Sequence, residues 1–367
     1  METYKYKFSN NKDTDFIRTL RSRVNDYFKS NNKGMYSNAN MIIKTIFMFS
    51  LYFAPLVLML TGVISNPWLI IVMWIIMGFG KSGIGMGVMH DANHGAYSRI
   101  GIINKYLSYT MNLIGANSAV WKIQHNVLHH IFTNIDGSDE DILPPFILRF
   151  SPYQKRYWFH RFQHIYVWFI YCITTLNWVT SRNFIQVFKF RKMGLIKSKN
   201  QLMKDIFQIT LWKLVYYGYI LVLPIILMPV SPWLVIAGFI AMHLTSGLIL
   251  STIFQTAHVM PTTEYPMPNK EKHIDNNWVV HQMETTTNYG PNSKVFSWLI
   301  GGLDHQVEHH LFSNICHVHY RKLSEIASET AREYNIRYNT QKNFLHAIWN
   351  HGKMMRQLGR MEQVVVS

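Results

Sequence analysis

The chain has 367 residues, of which 49% are hydrophobic and 15% charged, and it contains 11 Trp, 20 Tyr and 22 Phe, a composition typical of a protein that enters a membrane. The formal charge of +16 would suit nucleic acid, but the sequence contains no zinc-finger, RNA-recognition or Gly-rich phosphate motif. Because Lys and Arg beside apolar runs are typical of the cytoplasmic face of a membrane protein, we exclude nucleic acid as a partner.

Two local features bear on the compartment. Cys172 and Cys316 have no metal-site spacing and indicate no disulfide, which fits a reducing compartment. The N-terminus is rich in Lys, Asn and Asp rather than in a short apolar core with a cleavage site, so we expect no signal peptide.

Residues 1–40 are predicted to form a cytosolic or interfacial segment. Within it Phe16, Leu20, Val24 and Phe28 recur at helical spacing with arginines between them, which predicts an amphipathic helix. Two placements fit this helix. It lies on the membrane surface with its arginines toward anionic lipid, or it packs on the protein's own cytosolic part.

Four apolar segments are long enough to cross a hydrocarbon core of about 30 Å, which takes about 20 helical residues. The predicted spans are residues 41–65 and 67–90, followed by residues 209–228 and 233–257. Because each pair is joined by a short link, we expect two helical hairpins. The aromatic segment Ile165–Val179 is short for a span and is predicted to be an interfacial or buried helix.

The distribution of basic residues predicts which side of the membrane each part faces. Neither connecting turn contains Lys or Arg, whereas residues 95–207 contain fourteen. By the positive-inside tendency, both termini and the cytosolic parts, residues 91–208 and 258–367, face the cytoplasm. We therefore expect an all-α integral membrane protein with a single membrane domain over residues 41–367 and a cytosolic helical cap.

Four groups of histidines lie at or beyond the ends of the predicted spans. The groups are His90 and His94; His125, His129 and His130; His258; and His309 and His310. In two groups the rings lie at i and i+4, on one face of a helix. Singly, each group fits surface or core polar residues, but the predicted topology puts all four on one side of the membrane. The eight rings suffice for two metal ions and exceed what one ion uses.

Imidazole ligands suit Zn, Cu, Fe or Ni, so the ligand type alone does not select the metal. Acidic residues adjoin the histidines and can orient their ring N–H groups. These residues are Asp91, Asp304 and Glu308, with Asp136, Asp139, Glu140 and Asp141 after the second group. The pattern predicts a helical cap that carries a histidine-rich site for two metals.

The motifs resemble those of the membrane fatty acid desaturases over about residues 80–320. The shared pattern is His-x-x-x-His, then His-x-x-x-His-His, then Gln-x-x-His-His, spread over a four-span protein. The chain is most similar to the front-end acyl desaturases. It matches them in His90-Asp91, in His281-Gln282 followed by Thr286 and Asn288, and in Gly301-Gly302-Leu303 leading to Gln306-Val307-Glu308-His309-His310-Leu311-Phe312.

The resemblance implies an activity and a cofactor. The eight histidines would hold two iron ions that activate dioxygen, and two hydrogens would leave neighbouring methylenes of a fatty acyl chain carried on coenzyme A or a glycerolipid. Gln306 would act at iron directly or through water, and Trp121 would lie beside the substrate path. Asn93 stands where Gly is common, which leaves the ligands intact.

The resemblance also bears on the electron source. Many front-end desaturases carry a fused haem cytochrome with a His-Pro-Gly-Gly motif, which this sequence lacks. We expect electrons from a separate donor, such as a ferredoxin or a free cytochrome, since a basic cytosolic face attracts an acidic partner.

Three rival functions use some of the same residues. A fatty acyl hydroxylase on this scaffold would differ only in the fate of the carbon radical. A membrane zinc peptidase would use His305 and His309 with Glu308 as base, in the inverted zincin pattern, but would leave the other ligand candidates unused. A metal transporter is disfavoured because the histidines cluster outside the spans.

Two features of the spans have alternative interpretations. The Gly- and Met-rich second span lines an apolar acyl tunnel or allows close helix packing. His243 lies inside the fourth span, where a polar ring is costly, and either lines the tunnel or bonds a neighbouring helix.

Overall fold

Helices make up most of the described residues, which confirms the helical part of the predicted fold class. The computed structural model describes residues 6–144, 146–290 and 293–365. The α-helices, in chain order, are α1 (Thr14–Ser30), α2 (Ala39–Leu60), α3 (Pro67–Gly83), α4 (Met89–Asn93), α5 (Gly101–Ser108), α6 (Thr110–Leu113), α7 (Ser118–Lys122), α8 (His130–Phe132), α9 (Gln163–Asn177), α10 (Asn183–Lys192), α11 (Lys199–Tyr217), α12 (Leu223–Leu227), α13 (Pro232–His258), α14 (Trp278–Thr285), α15 (Lys294–Leu299), α16 (Gln306–Leu311), α17 (Tyr320–Glu333) and α18 (Phe344–Arg360).

Other helical types interrupt or follow these α-helices. Turns of π-helix lie at Ile84–Val88, Ile123–His129, Trp178–Arg182 and Gly218–Val222. Short 3-10 helices lie at Glu140–Ile142, Trp158–Phe162 and His317–His319.

Among the described residues, four helical stretches are long and apolar enough to cross a membrane. They are Ala39–Leu60, Pro67–Asn93, Lys199–Leu227 and Pro232–His258. Each overlaps one predicted span. The third starts at Lys199 rather than at residue 209, because Ser198 caps the helix by accepting a hydrogen bond from the N–H of Gln201. The aromatic segment after residue 162 forms α9, which continues through the π-turn Trp178–Arg182 into α10 and is not one of the four candidate spans found among the described residues.

The chain divides into two compact units. Unit 1 comprises Met1–Ser37, Lys122–Val167 and Ile253–Ser367, and unit 2 comprises Asn38–Trp121 and Trp168–Thr252. Unit 1 contains six of the eight histidines predicted to be metal ligands, and unit 2 contains most of the length of the apolar helices.

Glycines let the helices of unit 2 approach closely. A Cβ atom on Gly80 would lie 2.6 Å from the backbone nitrogen of Tyr52. A Cβ atom on Gly247 would collide with the backbone oxygens of Tyr171 and Cys172. The second span was predicted either to line an acyl tunnel or to allow close helix packing. Gly80 allows close packing.

His243 is buried in α13 and bonds its neighbours in unit 2. The hydroxyl of Tyr216 lies 2.8 Å from its Nε2 atom, and that of Thr175 lies 3.0 Å from its Nδ1 atom. The Thr175 hydroxyl also lies 2.8 Å from the carbonyl oxygen of His243. Since Tyr216 belongs to α11 and Thr175 to α9, these contacts give His243 the helix-bonding role.

The amphipathic helix near the N-terminus is α1, and protein covers its apolar face. Phe16 and Leu20 of α1 pack with Leu323 of α17 in one buried core of unit 1. Arg23 of α1 forms an ion pair of 2.7 Å with Glu333 of α17. Of the two placements predicted for this helix, packing on the protein itself is the one observed.

Contacts between distant segments hold unit 1 together. Parallel pairs of short strands join β1 (Lys7–Phe8) to β2 (His273–Ile274) and β3 (Asn288–Tyr289) to β4 (Thr340–Gln341). The buried guanidinium of Arg149 donates hydrogen bonds to the carbonyl oxygens of Pro152, Leu358 and Met361. The C-terminal helix α18 is therefore anchored to the segment around Arg149.

Replacing Gly247 by Ala tests the close packing in unit 2. The added methyl group meets backbone atoms rather than a flexible side chain, so we expect Gly247→Ala to lower the free energy of unfolding by about 1–3 kcal/mol. Thermal unfolding in detergent measures the effect. Gly218→Ala is the matched control, because a Cβ atom there meets nothing within 4 Å. Equal melting temperatures for the two variants would contradict the packing.

Candidate metal centre

A π-helical turn positions the second histidine group. His125 and His129 lie in the π-helix Ile123–His129, and His130 begins α8. A turn closed by i→i+5 hydrogen bonds is wider than an α-helical turn, so the residues at i+4 and i+5 both face the same side as residue i. The rings of His129 and His130 accordingly lie 5.2 Å and 4.6 Å from that of His125, measured between centroids.

Six histidine rings of unit 1 form one buried cluster, which we call the imidazole cluster. Its members are His125, His129, His130, His258, His309 and His310. The Nε2 atom of His130 lies 3.1 Å from that of His125 and 2.9 Å from that of His309. Ring nitrogens of His129, His258 and His310 all lie within 4.8 Å of one another. The cluster therefore contains nitrogen groups spaced closely enough to share metal ions.

The first histidine pair lies in unit 2. His90 belongs to α4 and His94 follows it, and their ring centroids lie 4.9 Å apart. The ring of Trp121 lies 5.7 Å from that of His90 and 5.8 Å from that of His94. The predicted i, i+4 pair thus has adjacent rings, and the Trp predicted at the substrate path lies beside both.

Fixed acceptors hold several ring N–H groups of the imidazole cluster. The Nδ1 atom of His129 lies 3.0 Å from Oδ1 of Asp139, and that of His310 lies 2.8 Å from Oε1 of Gln282. Because a carboxylate and an amide oxygen only accept, each histidine donates through Nδ1 and leaves Nε2 free for a ligand. His258 makes a similar contact of 3.3 Å with the carbonyl oxygen of Thr285.

The donor set fits a transition metal. The Nε2 atoms of His258 and His310 are buried and have no hydrogen-bonding partner among the residues that the structure describes. A buried polar atom without a partner costs about 1–3 kcal/mol, so two such atoms in one cluster need an explanation. Coordination of a metal ion by these two nitrogen atoms would explain why they have no hydrogen-bonding partner.

Acidic residues make the cluster favourable for positive charge. Burial alone would lower the pKa of His129, but the charges of Asp139 and Asp141 outweigh it and raise that pKa to about 9. Burial and the neighbouring ring of His130 instead hold the pKa of His310 well below its usual range. The carboxylates therefore stabilise positive charge at His129, whether a proton or a bound metal cation supplies that charge.

The residues predicted to support the ligands make varied contacts. Oε1 of Glu308 accepts a hydrogen bond of 2.8 Å from Tyr338, and Oε2 accepts one of 2.8 Å from Asn288. Burial raises the pKa of Glu308 to about 7. Asp304 is buried with an Oδ2 atom 3.6 Å from Nε2 of His305. Glu308 and Asp304 are therefore buried polar residues in and next to α16, the helix that carries His309 and His310.

The remaining predicted residues are Asp91 and Gln306. In unit 2, Oδ1 of Asp91 lies 3.8 Å from Nδ1 of His90. In unit 1, the side-chain amide of Gln306 is buried, and neither of its polar atoms has a hydrogen-bonding partner among the described residues. Gln306 is therefore free to interact with a metal or a water molecule.

The geometry disfavours the peptidase interpretation. His305 belongs to none of the potential metal-binding groups found among the described residues, whereas His309 joins the groups with His125, His130 and His310. The Oε2 atom of Glu308 lies 3.9 Å from Nδ1 of His305. The inverted zincin pattern therefore does not bring its two histidines to a shared site.

Sequence reasoning gave Gln282 no role. The amide oxygen of Gln282 accepts hydrogen bonds from His310 and from Thr133, each 2.8 Å long. Tyr320 was missed as well, and its hydroxyl lies 3.4 Å from Nδ1 of His309. The position of Gln282 next to His281 in a motif of the resembled family was the available signal.

The comparison with protein families gives the class of the protein. The fatty acid desaturase family model matches residues 66–342. Since this match covers most of the chain, the chain belongs to the fatty acid desaturase family. It is an oxidoreductase, and with its four apolar helices it is a membrane protein. The resemblance predicted from the histidine motifs is confirmed.

Individual relatives match nearly the whole length of the chain. The chain is 33% identical to sn-1 linoleoyl-lipid 6-desaturase of Arthrospira platensis over 92% of its own length and 90% of the relative's. It is 32% identical to acyl-lipid (8-3)-desaturase of Physcomitrium patens, over 97% of this chain and 74% of the relative. It is also 31% identical to sn-1 linoleoyl-lipid 6-desaturase of Synechocystis sp. over 94% of this chain. The names of all three relatives describe desaturases that act on acyl lipids.

Replacing Gln282 by Leu tests whether it orients His310. Leu fills a similar volume but accepts no hydrogen bond, so we expect iron affinity to fall about 10–100-fold. Titration of the metal-free protein with ferrous iron against a competing chelator measures this. Gln357→Leu on the exposed face of α18 is the control and should bind iron normally. An unchanged affinity in Gln282→Leu would remove Gln282 from the site.

Proposed function

We propose that the protein inserts a double bond into a long fatty acyl chain, in front-end fashion, with dioxygen and two iron ions. The convergence of ring nitrogens in the imidazole cluster carries this proposal. The proposed ligands are His90, His94, His125, His129, His130, His258, His309 and His310, with Gln306 as a further candidate. The resemblance of the motifs supports His90 and His94, and the cluster geometry supports the other six.

The residues of the chain bind the metal ions, orient the ligand rings and keep bulk water from the reactive centre. When bound, the two irons supply the capacity to activate dioxygen and to remove hydrogen from unactivated C–H bonds. Asp139 and Gln282 fix the ring orientations of His129 and His310 through their Nδ1 atoms. Because the cluster is buried, bulk water is excluded from the reactive centre. We assign Trp121 to the substrate path, beside His90 and His94.

The electron balance of the reaction requires an external donor. One dioxygen takes up four electrons and four protons to give two waters. The acyl chain supplies two of each as its two C–H bonds become a C=C bond. The other two electrons come from a separate reduced carrier protein, such as a ferredoxin or a free cytochrome, and the other two protons come from solvent.

The relatives support a lipid-linked substrate. Two of them are named linoleoyl-lipid 6-desaturases and one an acyl-lipid (8-3)-desaturase. We infer that this chain acts on an acyl group of a glycerolipid rather than of coenzyme A. The new double bond would lie between an existing double bond and the carboxyl end.

We infer the arrangement in the membrane from the charge distribution. The four apolar helices would form two hairpins within one desaturase domain, residues 41–367. Both termini, the histidines and a helical cap would lie on the cytoplasmic side, because the basic residues lie outside the two connecting turns.

Replacing His309 by Ala tests the ligand assignment. His309 contacts His130 at 2.9 Å between ring nitrogens, so its loss should lower iron content and abolish desaturation. Metal analysis of the purified variant measures the iron. His346→Ala is the control, because His346 is exposed on α18. A His309→Ala variant that is active and fully loaded with iron would exclude His309 from the site.

Expression with a ferredoxin and its reductase, in a host rich in linoleoyl lipids, tests the reaction. We expect a new fatty acid with one more double bond on the carboxyl side of the existing ones, located by mass spectrometry of derivatised acyl chains. The His309→Ala variant serves as the inactive control. Hydroxylated acids without any new double bond would contradict desaturation and favour the hydroxylase.

A further inference from the structure

A surface groove in unit 1 lies beside α1 and the start of α14. It has a volume of about 670 Å³ and is lined by residues of α1 and the start of α14. Its charged lining residues are Arg18 and Arg21, and its aromatic lining residue is Trp278. The other lining residues include the amides of Asn10 and Asn25, so the surface offers cations and hydrogen-bond donors.

The charge of the groove favours an acidic partner. Arg21 is exposed and forms no ion pair with a carboxylate among the residues that the structure describes. Arg18 is exposed as well and lies 2.8 Å from Asp15, which neutralises part of its charge. Exposed cations at the edge of a docking surface accelerate encounter with an anionic protein. The groove therefore suits a protein with carboxylates on its docking face.

Trp278 connects the groove to the proposed metal ligands. One part of its side chain lines the groove, while its indole N–H donates a hydrogen bond of 3.2 Å to the backbone carbonyl oxygen of His130. The ring of His130 contacts His125 and His309 through nitrogen atoms 3.1 Å and 2.9 Å apart. A single half-buried side chain thus spans the distance from solvent to a buried ligand candidate. Electron tunnelling favours such a short, bonded path over a gap of solvent.

We propose that this groove is the docking site of the electron donor, an acidic protein that carries one electron at a time, and that Trp278 is the point of electron entry. The inference rests on the proposed function, which requires two external electrons for each double bond. Arg18 and Arg21 hold the donor by charge. The indole of Trp278 and the backbone of His130 then connect it to the buried site.

Charge reversal tests the docking. The full-length, iron-loaded protein is placed in nanodiscs of phosphatidylcholine, and its affinity for two probes, a plant-type [2Fe–2S] ferredoxin and a free haem cytochrome, is measured by calorimetry. We expect Arg18→Glu combined with Arg21→Glu to weaken binding about tenfold for whichever probe binds the wild-type protein. The dependence of this binding on salt concentration should also become flatter. Lys342→Glu combined with Lys353→Glu makes the same change in charge at exposed positions outside the groove and should leave affinity within about twofold.

A second variant separates electron entry from docking. Trp278→Phe keeps an aromatic ring but loses the N–H group that bonds His130. With samples matched for iron content and with probe at saturating concentration, we expect several-fold slower reoxidation of the bound, reduced probe in stopped-flow measurements with dioxygen and substrate. Trp349→Phe, at an exposed Trp of α18, is the control and should reoxidise the probe at the normal rate.

The outcomes are distinguishable. Wild-type affinity in the Arg18/Arg21 variant, or the absence of binding of both probes to the wild-type protein, would overturn the docking site. Normal probe affinity in that variant combined with weaker association with phosphatidylglycerol vesicles would assign the groove to lipid and overturn it too. Wild-type reoxidation in Trp278→Phe would overturn the entry route. Charge-dependent docking without any desaturation would support the groove and contradict the proposed function.

Discussion

Six imidazole rings that lie together out of water are the constraint on which unit 1 depends. Each buried ring brings a donor and an acceptor that need partners, and each unpaired atom costs about 1–3 kcal/mol. Protein acceptors occupy Nδ1 of His129, His258 and His310, and Nε2 of His258 and His310 is left without a partner among the described residues. A metal cation bound at these nitrogens would offset this cost, so metal binding would explain why the rings are packed together here.

The orienting contacts come from several separate segments, so the fold has to bring those segments together. Asp139 follows the π-turn, Gln282 and Thr285 belong to α14, and Tyr320 begins α17. The strand pairs β1–β2 and β3–β4 tie the same stretches of chain to the N-terminal and C-terminal parts of unit 1. Rigid support of this kind holds the rings in one orientation, which the proposed metal site requires.

Sequence predicts those features that depend on local pattern. The four spans follow from length and apolar composition, and the ligand candidates follow from histidine spacing. The helix that contains the third predicted span begins at Lys199, ten residues before residue 209, because capping by Ser198 adds polar turns that hydropathy does not mark. An amphipathic pattern looks the same whether lipid or protein covers it, so the packing of α1 on α17 could not be chosen. Gln282 contacts His310 across 28 residues of sequence, and no spacing rule marks such a pair.

X-ray absorption at the iron edge, combined with metal analysis of the purified wild-type protein, tests the central claim most directly. We expect about two irons per chain, each coordinated mainly by imidazole nitrogen. One zinc per chain with no iron, or a shell that contains sulfur, would contradict it. Either result would separate the buried histidines from the dioxygen chemistry proposed for them.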